Sequence, residues 1–274
     1  MKKLKLFVAL TALMSVFFVA CEQEEETMVT QEVSDEVLIA LKDAGFNVID
    51  QPPIKFEESY IVEGDILLTY KQILNLAETK GVLVNSKQYS TNNLVATNGN
   101  RNITVFVSSR FNSATVAGVD LAIQRYNAEN LELTFQRVNS SSNADIVINR
   151  LNFFLEFFGV LGSAGFPTAS GDPFNQISLN GRLSNLGFDT GGIATIVAHE
   201  MGHCIGFRHT DFFDRSISCG GSPSNEGDGG VGANLIPGTP AGATLAAGSW
   251  MLACSDGGDR PFNADDQTAL DFLY

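Results

Sequence analysis

His199-Glu200-Met201-Gly202-His203-Cys204-Ile205-Gly206-Phe207-Arg208-His209 is the stretch on which the reading of this chain turns. The chain has three histidines in 274 residues, and all three fall in this window. Upstream, Ile193, Ile196 and Val197 recur at helical spacing, with Asp189 or Thr190 available as the cap. On such a helix His199 and His203 stand at i and i+4, so both imidazoles leave one face and can share a metal ion. Gly206 allows a positive φ, which would end the helix and return His209 to the same point. Three neutral imidazoles leave a fourth position open, the arrangement of a catalytic zinc site and not of a closed structural one. Nitrogen ligands of intermediate softness favour zinc over calcium or magnesium, with a related transition metal as the other option. Glu200 would face the open position. There it can take the proton of a zinc-bound water attacking a polarised carbonyl, and return it to the leaving amine. Histidines that merely hydrogen-bond inside a buried helix are the plain alternative, but this window uses every histidine the chain has.

Outward from this window the pattern is regular back to Ile103. Ile103–Val107 reads as a buried strand, Ala114–Ala128 as a helix with apolar residues at 116, 117, 121, 122 and 126, and Leu131–Val138 as an alternating strand. Ala144–Ile148 and Ile177–Leu179 read as two more strands, so a twisted sheet with a helix on one face is expected. Before that, Asn92–Asn102 is a candidate linker. Tyr60–Val62 and Ile66–Leu68 flank Glu63-Gly64-Asp65 as two short strands about a turn. Ser34 could cap a short helix running to Asp43 and stopped by Gly45.

The chain is 44% hydrophobic and 18% charged, enough to bury a core. Its net charge of −14 opposes a phosphate-binding surface, so no nucleic-acid partner is expected. All eight lysines precede residue 88 and every later base is arginine, a composition shift that places a junction near residue 90. At the start, Lys2, Lys3 and Lys5 precede an apolar run from Leu6 to Ala20, the length of a secretory signal and too short to span a bilayer comfortably. Export makes a disulfide among Cys204, Cys219 and Cys254 reasonable. Cys219–Cys254 would close a loop of about 35 residues, with Cys204 a competing partner. The acidic stretch from Asp256 to Asp266 matches no calcium-loop spacing and reads as a solvated face.

Phe18-Val19-Ala20-Cys21 resembles the lipobox of bacterial lipoproteins, which implies acylation of Cys21 and attachment to a membrane through that lipid alone. An ordinary cleaved signal is the other reading. The acidic run Glu22-Gln23-Glu24-Glu25-Glu26 resembles a surface-export tether.

The pattern HExxHxxGxxH resembles that of the metzincin metallopeptidases, and the chain from about residue 57 to Tyr274 is similar to bacterial dual-action HEIGH metallopeptidases, relatives of the astacins. The resemblance implies an α+β zincin: a twisted mixed sheet with two long helices, an irregular C-terminal subdomain, and a substrate cleft between them. It also implies a Met-turn beneath the metal, for which Ser249-Trp250-Met251 is the match, ordinary core filling being the alternative for Met251. Ala253 stands where astacins place a metal-binding tyrosine, and Thr210 where they have glutamate. Gly162–Pro173 would be the rim on which an extended substrate adds as an edge strand, or else a simple surface loop. Val62-Glu63-Gly64-Asp65 resembles the Phe-x-Gly-Asp motif by which astacin propeptides place an aspartate on zinc, which implies Asp65 as a latency switch, so that Asp65→Ala is expected to speed activation and Glu63→Ala is not. A plain turn with a solvated Asp65 is the alternative.

The expected organisation is therefore a lipoprotein-type signal peptide in 1–20, an acidic tether and prosegment in 21–98, and a metzincin-like zinc peptidase domain in 99–274. The expected function is an exported, monomeric zinc endopeptidase at the cell surface or outer membrane, made as a latent proenzyme acting on protein or peptide substrates. Its prosegment cleavage would release it. A non-proteolytic, zinc-stabilised surface lipoprotein serving as an adhesin or binding module is the rival; Glu200 speaks against it. A narrow processing enzyme is a second rival, because the loops from Phe212 to Ser249 that shape the pocket cannot be folded from pattern.

Overall fold

The computed structural model describes residues 32–49, 51–76, 88–227, 230–240 and 242–274. The expected signal peptide and Cys21 lie outside the described residues. Val33–Tyr274 forms one compact unit. Its strands are β1 (Ile54–Phe56), β2 (Ser59–Val62), β3 (Ile66–Thr69), β4 (Tyr89–Ser90), β5 (Arg101–Val107), β6 (Leu133–Val138), β7 (Ile146–Arg150), β8 (Gly162–Ala164), β9 (Gln176–Leu179) and β10 (Asn234–Leu235). Its α-helices are α1 (Asp35–Asp43), α2 (Tyr70–Asn75), α3 (Ser113–Ala128), α4 (Phe153–Phe157), α5 (Thr190–Ile205), α6 (Ser216–Cys219) and α7 (Ala264–Leu273). Among the described residues no helix is long and apolar enough to cross a membrane.

Eight strands form one mixed sheet in the order β1-β2-β3-β8-β9-β7-β5-β6. Strands β9, β7, β5 and β6 run parallel to their neighbours, and β8 turns back antiparallel on β9. The two 16-residue helices α3 and α5 are the long pair expected, and they pack on this sheet. Alternation explains the contact. Ile103, Val105, Ile146, Ile148, Ile177 and Leu179 point one way into a core shared with Val119, Ala122, Ile193 and Val197. Gly118 sets how close the helices come, because a Cβ there would lie 2.4 Å from Ile193 Cγ2.

The N-terminal hairpin joins the same sheet. β1, β2 and β3 pair antiparallel in sequence, and β3 meets β8 in parallel at Ile66↔Ala164. Successive residues of β2 bury opposite faces. Tyr60 and Val62 pack with Val37, Leu41 and Phe46, whereas Ile61 packs with Phe56, Leu151 and Leu155. The turn expected at Glu63-Gly64-Asp65 is present, with Glu63 and Gly64 both at positive φ (55° and 96°). Of the candidate linker Asn92–Asn102, residues 92–100 carry no helix or strand, as expected, but they are pinned to the fold by the Asn92 N–H donating to Val231 O at 2.7 Å and the Ala96 N–H to Gly171 O at 2.9 Å, and Arg101 already belongs to β5.

The cysteines resolve as Cys219–Cys254 bonded and Cys204 free and buried. The acidic stretch near the C-terminus divides. Asp256 and Asp259 are exposed and pair with Arg260 and Arg125. Asp266 departs from the expected solvated face: it is buried as the third residue of a capping box with Asn263.

Candidate metal centre

Helix α5 starts where Asp189 accepts a hydrogen bond from the Gly192 N–H at 2.8 Å. It ends at Gly206, whose φ of 113° lets its N–H cap the carbonyls of Gly202 and His203. A Cβ at Gly206 would lie 2.8 Å from Leu94 Cδ2, so both the conformation and the space call for glycine. From this turn Phe207 bridges Ser90, and the Arg208 N–H donates to Tyr89 O at 2.9 Å, which carries His209 back over the helix.

The three imidazoles converge. His209 Nε2 lies 3.2 Å from both His199 Nε2 and His203 Nε2. Asp65 Oδ2 is 3.1 Å from His209 Nε2 and 3.5 Å from His199 Nε2. One ligand atom from each of these four residues falls within 4.8 Å of all the others. The opposite ring nitrogens are held in place. His199 Nδ1 meets Trp250 O at 2.8 Å and His203 Nδ1 meets Phe207 O at 2.9 Å. A carbonyl oxygen only accepts, so both Nδ1 atoms carry the hydrogen and both Nε2 lone pairs face the centre. A tetrahedron with metal–nitrogen bonds of 2.0–2.1 Å has edges of about 3.3 Å, and the separations of 3.1–3.5 Å from His209 and Asp65 lie close to that edge, so the donor set suits one zinc ion.

His209 Nδ1 lies 2.5 Å from the buried Glu226 Oε1. Burial alone would lower the His209 pKa, but the Asp65 and Glu226 carboxylates lift it to about 10. A carboxylate behind a ligand histidine raises its basicity in the same way toward a metal. His203 lies on the other side of the balance: burial, then its two histidine neighbours, hold it well below the usual range. Burial opposes the charge of Asp65, yet His209 and His199 hold its carboxyl well below the usual range.

Glu226 also organises two buried arginines. Arg215 Nη1 bonds its Oε1, and Arg208 Nη2 is 3.3 Å from its Oε2. Arg215 reaches on to the hairpin, with Nε 3.0 Å from Glu63 Oε2 and Nη2 donating to Glu63 O at 2.7 Å. Glu63 is thus gripped by Arg215 at both its carboxylate and its carbonyl. It is 2% exposed, and its carboxyl is pushed up to about 7 by burial and by Glu226, against the pull of Arg215. Sequence pattern gave no signal for Glu226, Arg215 or Arg208 in this role, since the loop that carries Glu226 has no periodicity and no motif.

Glu200 is buried on the next position of α5. Burial, then the charge of Asp65, raise its pKa well above the usual range, and Oε2 has no hydrogen-bond partner among the described residues. Strand β8 lies against it so closely that a Cβ on Gly162 would sit 2.3 Å from Glu200 Oε1. Met251 is fully buried under α5, where a Cβ on Gly202 would lie 2.6 Å from its Sδ. Its carbonyl accepts from the Thr210 N–H at 2.8 Å, so the turn that carries Met251 braces the segment after His209. The structure thus brings together His199, His203, His209, Asp65, Glu200 and Met251. Ala253 N–H donates to Asp211 Oδ1 at 2.9 Å.

Solved structures similar to the chain include high choriolytic enzyme 1, a hatching-enzyme zinc protease from Oryzias latipes (medaka). It is 17% identical, covers 65% of this chain and 92% of its own, and has a TM-score of 0.38. Two structures of myroilysin are 14% and 13% identical, with TM-scores of 0.37 and 0.39. They cover 63% and 66% of this chain, and 83% and 84% of their own. No curated protein matches the chain. The sequence profile of the dual-action HEIGH metallo-peptidases matches residues 60–274, which is most of the chain and includes the hairpin turn as well as the histidine window. The chain belongs to the dual-action HEIGH metallo-peptidase family.

Proposed function

We propose that this zinc metalloendopeptidase binds one catalytic ion through His199, His203 and His209, uses Glu200 as its general base, and is made latent by Asp65. The observation that carries the reading is the convergence of the three Nε2 atoms with Asp65 Oδ2 beside a buried, unpartnered Glu200 oxygen. Zinc, when bound, supplies Lewis-acid chemistry, polarising the scissile carbonyl and making water acidic enough to attack near neutral pH. The chain supplies the rest. Glu200 accepts the proton from the attacking water and passes it to the leaving amide nitrogen. The Trp250 and Phe207 carbonyls and the Glu226 carboxylate keep the imidazoles aimed.

In the latent form, the hairpin turn fills the centre. Asp65 occupies the position where water and substrate would meet the metal. Its carbonyl accepts from the Ala164 N–H at 3.1 Å on the rim strand, and Glu63 is clasped by Arg215. Maturation would remove the hairpin and free both the metal position and the β8 rim. The signal-like start and the lipobox-like Cys21 favour an exported, lipid-anchored protein acting as a monomer on protein or peptide substrates. Incubation of the trimmed protein with casein or a random peptide pool, with and without chelator, tests this reading. Chelator-sensitive cleavage at internal bonds is expected; no cleavage under any processing condition would contradict it.

A further inference from the structure

The connection from β7 to β8 carries a surface that the catalytic reading leaves unused. Helix α4 is held rigidly from below. Arg150 Nε and Nη2 grip Glu156 at 2.6 and 2.7 Å, the Gly181 N–H donates to the same carboxylate at 2.7 Å, and Asn180 Nδ2 donates to Val160 O at 2.7 Å. On this pedestal Phe153, Phe154, Phe157 and Phe158 are 65%, 47%, 68% and 59% exposed. Their rings form one chain, with centroids 6.0 Å (153–154), 6.3 Å (153–157) and 6.1 Å (157–158) apart. Four phenyl rings displayed on a braced support are more than scattered surface apolars, and a patch of this kind marks an interaction site.

The inner side of the same connection shows what chemistry it takes. Leu151, Leu155 and Val160 pack with Phe56 of β1 and Ile61 of β2, large apolar side chains of the extended hairpin whose third strand, β3, lies beside β8. The connection then runs into Gly162, the residue pressed against Glu200. Phe158 stands four residues before Gly162 in the chain, so the aromatic patch and the strand pressed against Glu200 belong to one continuous connection.

We infer that α4 and its flanks form an apolar exosite that takes a hydrophobic segment of the protein substrate once the hairpin has left. This rests on the reading of Glu200 as base and of the hairpin as a removable prosegment. The segment replaces Phe56 and Ile61 on Leu151, Leu155 and Val160 and continues outward over the four rings. Substrates with aliphatic or aromatic runs a few residues from the cleaved bond are thereby favoured over polar ones.

The test uses the full-length protein after maturation and quenched fluorescent peptides sharing one cleaved core. In one the core is flanked by Ser-Gly repeats, and in the others a Leu-Phe-Leu-Phe extension replaces the flank on one side or the other. The expected result is that one extension raises kcat/KM roughly tenfold through KM, equivalent to about 1.4 kcal/mol. In a Phe153→Ser/Phe157→Ser protein, whose changes lie on the surface, that ratio should fall to about one. A ratio near one in the unaltered protein, or an undiminished ratio in the variant, overturns the inference. So does a variant that keeps the ratio but loses binding to phosphatidylethanolamine–phosphatidylglycerol vesicles, or loses a dimer, because the patch then serves a membrane or a second copy. Failure to cleave any of the peptides would instead sink the catalytic reading, and the inference with it.

Discussion

Asp65 and His209 stand 144 positions apart in sequence and 3.1 Å apart in the structure, carboxylate oxygen to imidazole nitrogen. That contact brings an acid from the N-terminal hairpin into the cluster formed by the three histidines. It joins the fold of the first strands directly to the chemistry of the long helix.

If Asp65 blocks the centre, replacing it should release activity. Asp65→Ala in the full-length protein is expected to mature faster than the unaltered chain and to cleave peptide before processing is complete. A gel time course with a peptide assay measures both. Unchanged maturation and unchanged inactivity would leave only steric inhibition by the hairpin.

Glu226 carries a separate expectation, because it holds His209 and two buried arginines at once. Glu226→Gln keeps the shape but weakens the support of the ligand, so zinc affinity should fall about 10–100-fold. Glu226→Ala leaves Arg208 and Arg215 without their shared carboxylate, and a destabilisation of about 3–5 kcal/mol is expected. Competition with a zinc chelator and denaturant unfolding read the two effects. A Glu226→Gln protein with unaltered zinc affinity would remove this residue from the site.

Asp266 predicts a pH dependence. Burial pushes its carboxyl up to about 7, despite bonds from the Asn263 and Trp250 N–H groups and from Ser249 and Gln88. In the unfolded chain it titrates near 3.9. Between about pH 4 and pH 7 the folded state holds a proton that the unfolded state has lost, so this residue's contribution to stability falls as pH rises through that window and is flat above it. The total is roughly 4 kcal/mol at most. Asp266→Asn should remove it, and the stability difference between the two proteins, measured from pH 4 to pH 8, should change with that sign. A constant difference would contradict the assignment.

The parts of this molecule that were legible in the sequence are those with a period or a fixed spacing. The His199 window, the Gly206 turn and helix α3 follow from side-chain geometry on a helix, and the structure places them within a residue or two of expectation. The hairpin turn at Gly64 was legible for the same local reason. Glu226, Arg215 and the role of Glu63 were not, because a buried ion network is assembled from distant loops and leaves no repeat in the chain. Strand β8 was read only as part of a glycine-rich rim. Its three residues are strand because β3 and β9 flank them, a tertiary cause that local propensity does not record. Asp266 was misread for a related reason: an acid-rich stretch looks solvated until Asn263 begins a helix and turns one of its acids inward.

The central claim is that the metal is held by histidines while Glu200 alone moves the proton, and Glu200→Ala separates the two. Zinc content and peptide cleavage measured on the matured variant beside the unaltered protein should show one zinc per chain in both, with turnover in the variant lower by orders of magnitude. Comparable cleavage by the variant at full zinc occupancy would contradict the account.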